Sequence, residues 1–159
     1  MLFRSACQLL GQQPGQVTHA EAPALASALR KLGPRAVVLK LGAQGSFFSS
    51  EAHEIFSPGF TVEAVDTTAA GDVFNGALAV ALAEGQAMER ALAFANAAAA
   101  ISVTRRGAQP AVPERAEVDA LLTQGSARPA TNRRQNINGL ISIGRDQDTA
   151  RQRIARQPQ

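Results

Sequence analysis

The segment from Asp66 to Asp72 holds the residues best suited to chemistry, with two acidic residues flanking threonines, alanines and a glycine. It follows a stretch of strand-like alternation and leads directly into a long run of good helix formers. A strand that ends in small residues and opens a helix presents unpaired backbone N–H groups at the positive end of the helix dipole. Because alanine and glycine leave these groups accessible, the segment predicts a binding site for an anion such as phosphate.

Asp72 stands in the first turn of that predicted helix and allows two interpretations. Its carboxylate can be a simple partner of the helix dipole. It can instead be a general base that accepts the proton of a hydroxyl group while that oxygen attacks a phosphoryl group held on the N–H groups. The local pattern leaves both interpretations open.

A second candidate segment, residues 40–45, reads Lys-Leu-Gly-Ala-Gln-Gly and follows a short apolar run that begins at Ala36. The run is typical of a strand that is buried on both faces of a largely parallel sheet. The glycines break this strand, and taken alone they indicate an ordinary hairpin at least as well as a ligand-binding loop.

The elements around these two segments predict an α/β fold. A helix is expected through Leu32, beginning at a capping box in Thr18–Glu21 and stopping at Gly33-Pro34. A strand exposed on one face is expected at Phe60–Val65, just before the acidic segment. The remaining pattern predicts small antiparallel elements at 46–48 and 53–56 and helices at 73–82, 87–103 and 114–122.

Two blocks of the sequence resemble a known family. Val65–Ala77 closely resembles the C-terminal signature of PfkB-type carbohydrate kinases, and Phe94–Pro110 with Val112-Pro113 resembles the ribokinases within that family. The resemblance runs from about Leu9 to Leu122 and covers only the C-terminal half of the family's domain. It implies the C-terminal part of a ribokinase-like three-layer α/β/α fold with a mostly parallel sheet and a phosphate site at the ends of strands.

By this resemblance the protein is an ATP-dependent sugar kinase that transfers the γ-phosphate of ATP to the 5-hydroxyl of D-ribose, giving ribose 5-phosphate. Asp72 would be the catalytic base in contact with the sugar hydroxyl, and the backbone N–H groups of 69–72 would form an anion hole. The residues implied in catalysis are Asp72, Gly71, Ala70 and Ala69, and those implied in ATP binding are Lys40, Leu41, Gly42, Ala43, Gln44, Gly45, Gly71, Asp72 and Asn96.

The resemblance also implies a monovalent cation, usually potassium, beside the anion hole. The implied ligands are hard oxygen donors, namely the carboxylate of Asp66 and the carbonyl oxygens of Thr68, Ser102, Arg105 and Gly107. Ala111 stands where the family often has a hydroxyl residue, so a side-chain ligand from that position is absent. Mg²⁺ would accompany ATP, but the acidic motif with which family members organise it is missing before Leu9.

The family's N-terminal half, with its glycine-pair sugar motif and its lid, has no counterpart in this sequence. One hypothesis is a ribokinase that acts when another polypeptide, or a longer gene product, supplies that half. The other is a non-catalytic nucleotide-binding remnant or interaction module with a basic tail. An uncovered sheet edge or face also favours association, so a homodimer is a further expected partner beside ATP, the sugar and a complementing half.

The charge of the chain changes sign near Gly125. The net charge is +3, composed of −2 for residues 1–125 and +5 for residues 126–159. We therefore expect residues 1–125 to form the kinase-like segment and 126–159 to form an Arg-rich, disordered tail. Nucleic-acid binding by the tail is not expected, and it would show a steep salt dependence.

The remaining composition excludes several classes of protein. A single cysteine and two histidines exclude a disulfide-stapled scaffold and a Cys/His zinc site. The longest apolar stretch, 91–103, is too short to cross a bilayer, and no secretory signal is visible at the start. The sequence therefore predicts a cytoplasmic protein with no membrane partner.

Overall fold

The computed structural model describes residues 3–11 and 19–126. In chain order these residues form helices and strands, with 3-10 turns at Gly42–Gln44 and Gln109–Ala111. The elements are α1 (Phe3–Leu9), α2 (Ala22–Arg30), β1 (Ala36–Lys40), β2 (Gly45–Ser50), β3 (Glu54–Pro58), α3 (Ala70–Ala83), α4 (Met88–Ser102) and α5 (Arg115–Ser126).

The strands form a sheet in the order β1-β2-β3, and both pairings are antiparallel. Val38 pairs with Phe48, and Phe47 pairs with Phe56. The small antiparallel elements expected after Gly45 are therefore confirmed. The one neighbour of β1 among the described residues is β2, and this pairing is antiparallel where a parallel one was expected, because the two strands are joined by a single 3-10 turn, whereas parallel strands need a crossover of a dozen or more residues.

Residues 60–65 do not form the predicted strand. The N–H groups of Val65 and Asp66 both donate to the carbonyl oxygen of Val103, just beyond α4, at 2.7 and 3.1 Å. The segment is thus held by the end of a helix and not by a neighbouring strand. Phe60 and Val62 are half-buried, whereas Thr61 and residues 63–65 are exposed, and Val65 has 55% of its surface exposed.

The predicted helix is confirmed as α2, which packs on the sheet through the buried Ala22, Leu25 and Leu29. The helix ends at Arg30, two residues earlier than expected, and Leu32 is 61% exposed. Its N-cap is Glu21, and Thr18 of the predicted capping box lies outside the described residues.

Helices α3 and α4 pack against each other along their length, and α5 packs on α4. The buried alanines of α4 and Ala81 of α3 allow this close approach. Phe74 of α3 packs with Leu92 of α4 and Phe48 of β2, which joins the helical layer to the sheet. All three predicted helices after residue 70 are confirmed, with α5 extending to Ser126.

The arrangement places the C-terminal end of β1 beside the first turn of α3, where the predicted site lies. The predicted tail, residues 126–159, lies outside the described residues except for Ser126, the last residue of α5. Within the described part of the chain, no helix has both the length and the apolar character needed to span a bilayer.

Candidate functional site

The predicted anion hole is the sharp turn that opens α3. Ala69, the N-cap residue, has φ 59° and ψ 4°, a left-handed backbone conformation that residues other than glycine seldom adopt. The N–H of Ala70 donates to the carbonyl oxygen of Thr67 at 3.3 Å, and the N–H of Asp72 donates to that of Ala69 at 2.9 Å. The N–H groups of Ala69 and Gly71 make no hydrogen bond to the described residues. Two of the four N–H groups expected to form the anion hole are therefore available to a ligand.

Asp72 lies in the first turn of α3 with an exposed side chain. Its carboxylate accepts no hydrogen bond from the described residues, so it is free to accept a proton or a hydroxyl. Asp72 and Ala69 are among the residues that line a cavity of about 500 Å³ between α3, α4, α5 and the loop before α5. The rest of the cavity wall is largely apolar, with Val73, Val80, Phe94 and Val112 among its lining residues.

Lys40 makes a contact that the sequence did not predict. Its ammonium Nζ donates to the carbonyl oxygen of Gly71 at 2.9 Å and to Oδ1 of Asn75 at 3.1 Å, and it lies 5.7 Å from the centroid of the Phe74 ring. Burial lowers the pKa of Lys40, and the negative charge of Asp72 opposes that shift. The only sign of this role in the sequence is a lysine that ends an otherwise apolar strand.

The glycine loop 42–45 has an exposed part and a packed part. Gly42, Ala43 and Gln44 are exposed, whereas Leu41 and Gly45 are buried. Gly45 has φ +104°, and a Cβ atom there would lie 2.2 Å from the carbonyl oxygen of Ser57. The packing of the chain itself therefore requires glycine at position 45. The sequence pattern did not reveal this requirement.

Asn96, expected beside the nucleotide, is buried in α4 and faces the sheet. Its Nδ2 donates to Oγ of Ser46 at 3.1 Å and to the carbonyl oxygen and Oγ of Ser57, both at 3.0 Å. These bonds join α4 to β2 and β3, so the Nδ2 group of Asn96 is hydrogen-bonded within the protein. The nucleotide contact of Asn96 therefore remains a prediction.

The predicted cation site is organised by Asp66. Its Oδ1 accepts the N–H of Thr68 and its Oδ2 accepts the N–H of Gly107, each at 2.9 Å. Hydrogen bonds from the Thr68 side chain, from the Gly107 N–H and from the Thr68 N–H lower the pKa of Asp66 to about 2. The carboxylate is therefore ionised at neutral pH and contacts two of the other four residues expected to bind the cation.

The other two expected cation ligands belong to the turn that leaves α4. Ser102 is buried, its Oγ donates to the carbonyl oxygen of Ala99 at 2.8 Å, and the N–H of Arg105 donates to the carbonyl oxygen of Ser102 at 3.2 Å. The Arg105 guanidinium forms an ion pair with Glu117 of α5, which lowers the pKa of Glu117. Carboxylate and carbonyl oxygens are hard donors suited to a monovalent cation. In contrast, the described residues contain no cluster of three His, Cys, Asp or Glu side chains that could hold a metal ion.

Comparison with known proteins decides the family. The family model described as pfkB family carbohydrate kinase matches residues 5–115. The chain belongs to the pfkB family of carbohydrate kinases. This membership confirms the family resemblance of the 65–77 and 94–113 blocks and the ribokinase-like α/β class of the fold.

Ribokinases are among the relatives of this pfkB-family chain. It is 51% identical over 92 residues to a ribokinase of Bacillus subtilis, covering 58% of this chain and 31% of that protein. It is 41% identical over 113 residues to a ribokinase of Schizosaccharomyces pombe, covering 70% of this chain and 36% of that protein. The chain thus spans about a third of the length of the curated relatives it matches.

Solved ribokinases share its fold. A ribokinase from Thermotoga maritima matches with a TM-score of 0.65 and 45% identity over 76% of this chain and 39% of the other. A ribokinase of Arabidopsis thaliana, complexed with ribose and ATP, matches with a TM-score of 0.69 and 36% identity over the same shares.

Proposed function

We propose that this protein is part of an ATP-dependent sugar kinase that transfers the γ-phosphate of ATP to the 5-hydroxyl of D-ribose, giving ribose 5-phosphate. The observation that carries the proposal is the start of α3, where the open N–H groups of Ala69 and Gly71 lie beside the exposed carboxylate of Asp72. The 51% identity to a ribokinase over 92 residues supports ribose as the acceptor.

The site can perform the transfer in one displacement. Asp72 accepts the proton of the sugar hydroxyl, whose oxygen forms the new bond to the γ-phosphorus while the bond from phosphorus to the bridging oxygen of ADP breaks. The N–H groups of Ala69 and Gly71 stabilise the negative charge on the phosphoryl oxygens at the positive end of the α3 dipole. ADP and ribose 5-phosphate are the products.

We assign ATP binding to residues 40–45, to Gly71 and Asp72, and to Asn96. The exposed backbone of Gly42, Ala43 and Gln44 supports this assignment, because it leaves room for a ligand next to the end of β1. Leu41 and Gly45 would then shape the loop without a side-chain contact to the nucleotide. Asn96 would contact the nucleotide only if it exchanged some of its hydrogen bonds to Ser46 and Ser57 for bonds to the ligand.

We assign K⁺ to the oxygen atoms of Asp66, Thr68, Ser102, Arg105 and Gly107. The ionised carboxylate of Asp66 and its bonds to Thr68 and Gly107 support this assignment, and the ion would supply positive charge beside the anion hole. Mg²⁺ would be bound by the phosphates of ATP, since the described residues hold no carboxylate cluster for it.

The sugar pocket would be completed by another part of the kinase domain. We propose a complementing N-terminal half of the domain, on a longer product or on a separate chain, and place the enzyme in the cytoplasm, where ATP is available. The coverage of about a third of each curated relative supports this proposal. A homodimer that covers the same surface is the alternative assembly.

Turnover by the full chain, alone and mixed with the N-terminal half of a ribokinase, tests the function. The wild-type chain is expected to phosphorylate ribose from ATP in the mixture. Asp72→Asn should lower kcat by about 10²–10⁴-fold, because a general base typically accelerates a reaction by this factor. Glu89→Gln, which removes an exposed carboxylate from the first turn of α4, is the matched control and should change kcat by less than about tenfold. Equal turnover by wild type and Asp72→Asn would contradict the base assignment. ATP binding without turnover in any mixture would instead support the non-catalytic remnant.

A further inference from the structure

The side chain of Lys40 connects the two segments to which we assign ATP binding. Lys40 is the last residue of β1, so the exposed glycine loop follows it almost directly. Its ammonium group reaches the first turn of α3, where it donates to the carbonyl oxygen of Gly71 at 2.9 Å and to Oδ1 of Asn75 at 3.1 Å. One side chain therefore spans from the glycine loop to the anion hole.

The contact to Gly71 acts on the peptide that precedes Asp72. The carbonyl group of Gly71 and the N–H group of Asp72 belong to one planar peptide unit, so holding the oxygen also fixes the direction of the N–H. The second acceptor, Asn75, lies one helical turn further along α3. Together the two bonds restrain the rotation of the turn that begins at Ala69, whose backbone conformation is strained.

The surroundings of Lys40 hold its ammonium group beside the first turn of α3. The ammonium is partly buried and lies 5.7 Å from the centroid of the Phe74 ring, and Phe74 is itself buried. Hydrogen bonds from an ionised donor are stronger than those between neutral groups, and the aromatic face adds a cation–π attraction. The negative charge of Asp72 adds electrostatic attraction.

We propose that Lys40 is a positioning residue for phosphoryl transfer. It holds the first turn of α3 so that the N–H groups of Ala69 and Gly71 and the carboxylate of Asp72 face the transferred phosphate. The inference rests on the proposed function in one respect, since the bound anion is taken to be the phosphates of ATP.

Amide hydrogen exchange in the ligand-free full chain tests the hold on the turn without any need for activity. In Lys40→Met, the amides of Asp72 and Val73, which both donate to the carbonyl oxygen of Ala69, should exchange about tenfold faster, while amides in the middle of α4 keep their rates. Lys31→Met, at the exposed end of α2, is the matched control and should leave all rates unchanged. Unchanged rates at Asp72 and Val73, or an equal increase throughout the chain, would overturn the proposal.

A second variant keeps the test decisive if Lys40→Met fails to fold. Asn75→Ala removes one acceptor from an exposed position and leaves Lys40 in place. It should accelerate exchange of the same two amides by about threefold. Rates equal to those of the wild type in this variant count against the proposal.

Dissociation constants for ATP and for adenosine separate positioning from a general structural role. Lys40→Met should weaken ATP binding about tenfold and change adenosine binding by less than about twofold, because only ATP uses the anion hole. Equal weakening of both ligands would show a structural role and overturn the proposal. If the wild-type chain binds neither ligand, the ATP assignment fails, and the exchange rates alone then decide whether Lys40 holds the turn.

Discussion

The carboxylate of Asp66 joins two loops that are 41 residues apart in the chain. One oxygen accepts the N–H of Thr68 within its own loop, and the other accepts the N–H of Gly107 beyond α4. These bonds favour the ionised form and hold its pKa at about 2. Asp66 thus stabilises the fold of the loops around the assigned cation site even without the ion.

The lowered pKa makes this contribution dependent on pH. Because the folded pKa of about 2 lies below the ordinary value of 3.8, the ionised carboxylate stabilises the fold above 3.8, and the effect is lost as the pH falls through about 2. Asp66→Asn should therefore be less stable than the wild type at pH 7, and the difference should shrink between these two pH values.

Urea unfolding followed by circular dichroism at pH 7, 4 and 2.5 measures that difference. Glu63→Gln is the matched control, since it removes an exposed carboxylate from the same segment and should show no comparable trend with pH. A gap between wild type and Asp66→Asn that stays constant over the whole range would contradict the assigned hydrogen bonds.

Among the elements, the start of α3 is the most constrained. The chain enters the helix through Ala69 in a left-handed conformation, which brings the N–H groups of 69–72 to the helix end and leaves two of them open. An alanine in this conformation is strained, whereas glycine adopts it at no steric cost. The turn therefore stores local strain at the proposed anion hole.

Ala69→Gly should raise the free energy of unfolding by about 0.5–1 kcal/mol, because the relief of strain exceeds the added chain entropy of glycine. Ala79→Gly, at an exposed position inside the same helix, should instead lower it by about 0.5–1 kcal/mol. Chemical denaturation of both variants gives the two signs directly. If both substitutions destabilise the protein equally, Ala69 is not strained in solution.

Across the whole described unit, the helical layer and the sheet are joined by apolar packing at Phe74 and by the buried amide of Asn96. Asn96 carries bonds to Ser46 and Ser57 on two different strands. A buried polar group contributes through these bonds, and its removal leaves the partner groups unsatisfied.

Asn96→Ala should lower the free energy of unfolding by about 1–3 kcal/mol, because the carbonyl oxygen of Ser57 then loses a buried donor. Gln109→Ala, an exposed polar position before α5, should change it by no more than about 0.5 kcal/mol. The two values come from thermal or urea unfolding. A loss of stability for Asn96→Ala as small as that of the control means that the amide is not a tie between the layers.

The sequence by itself determined the family, the helices after residue 70 and the position of the turn to which we assign anion binding. These features are local, since they depend on helix propensity, on small residues and on a contiguous motif. It also placed Asp66 with Thr68 and Gly107, but only through the resemblance, because no local rule connects residues so far apart.

Only the tertiary structure decided the features that depend on distant partners. Residues 60–65 have the alternation of a strand, yet their backbone is held at Val103 because no strand lies beside them in the described part of the chain. The pairing of β1 is antiparallel because its tight turn leaves no crossover. The contact of Lys40 with Gly71 joins residues 31 positions apart and depends on how β1 packs beside α3. Such long-range contacts arise from packing, so propensity and spacing along the chain could not predict them.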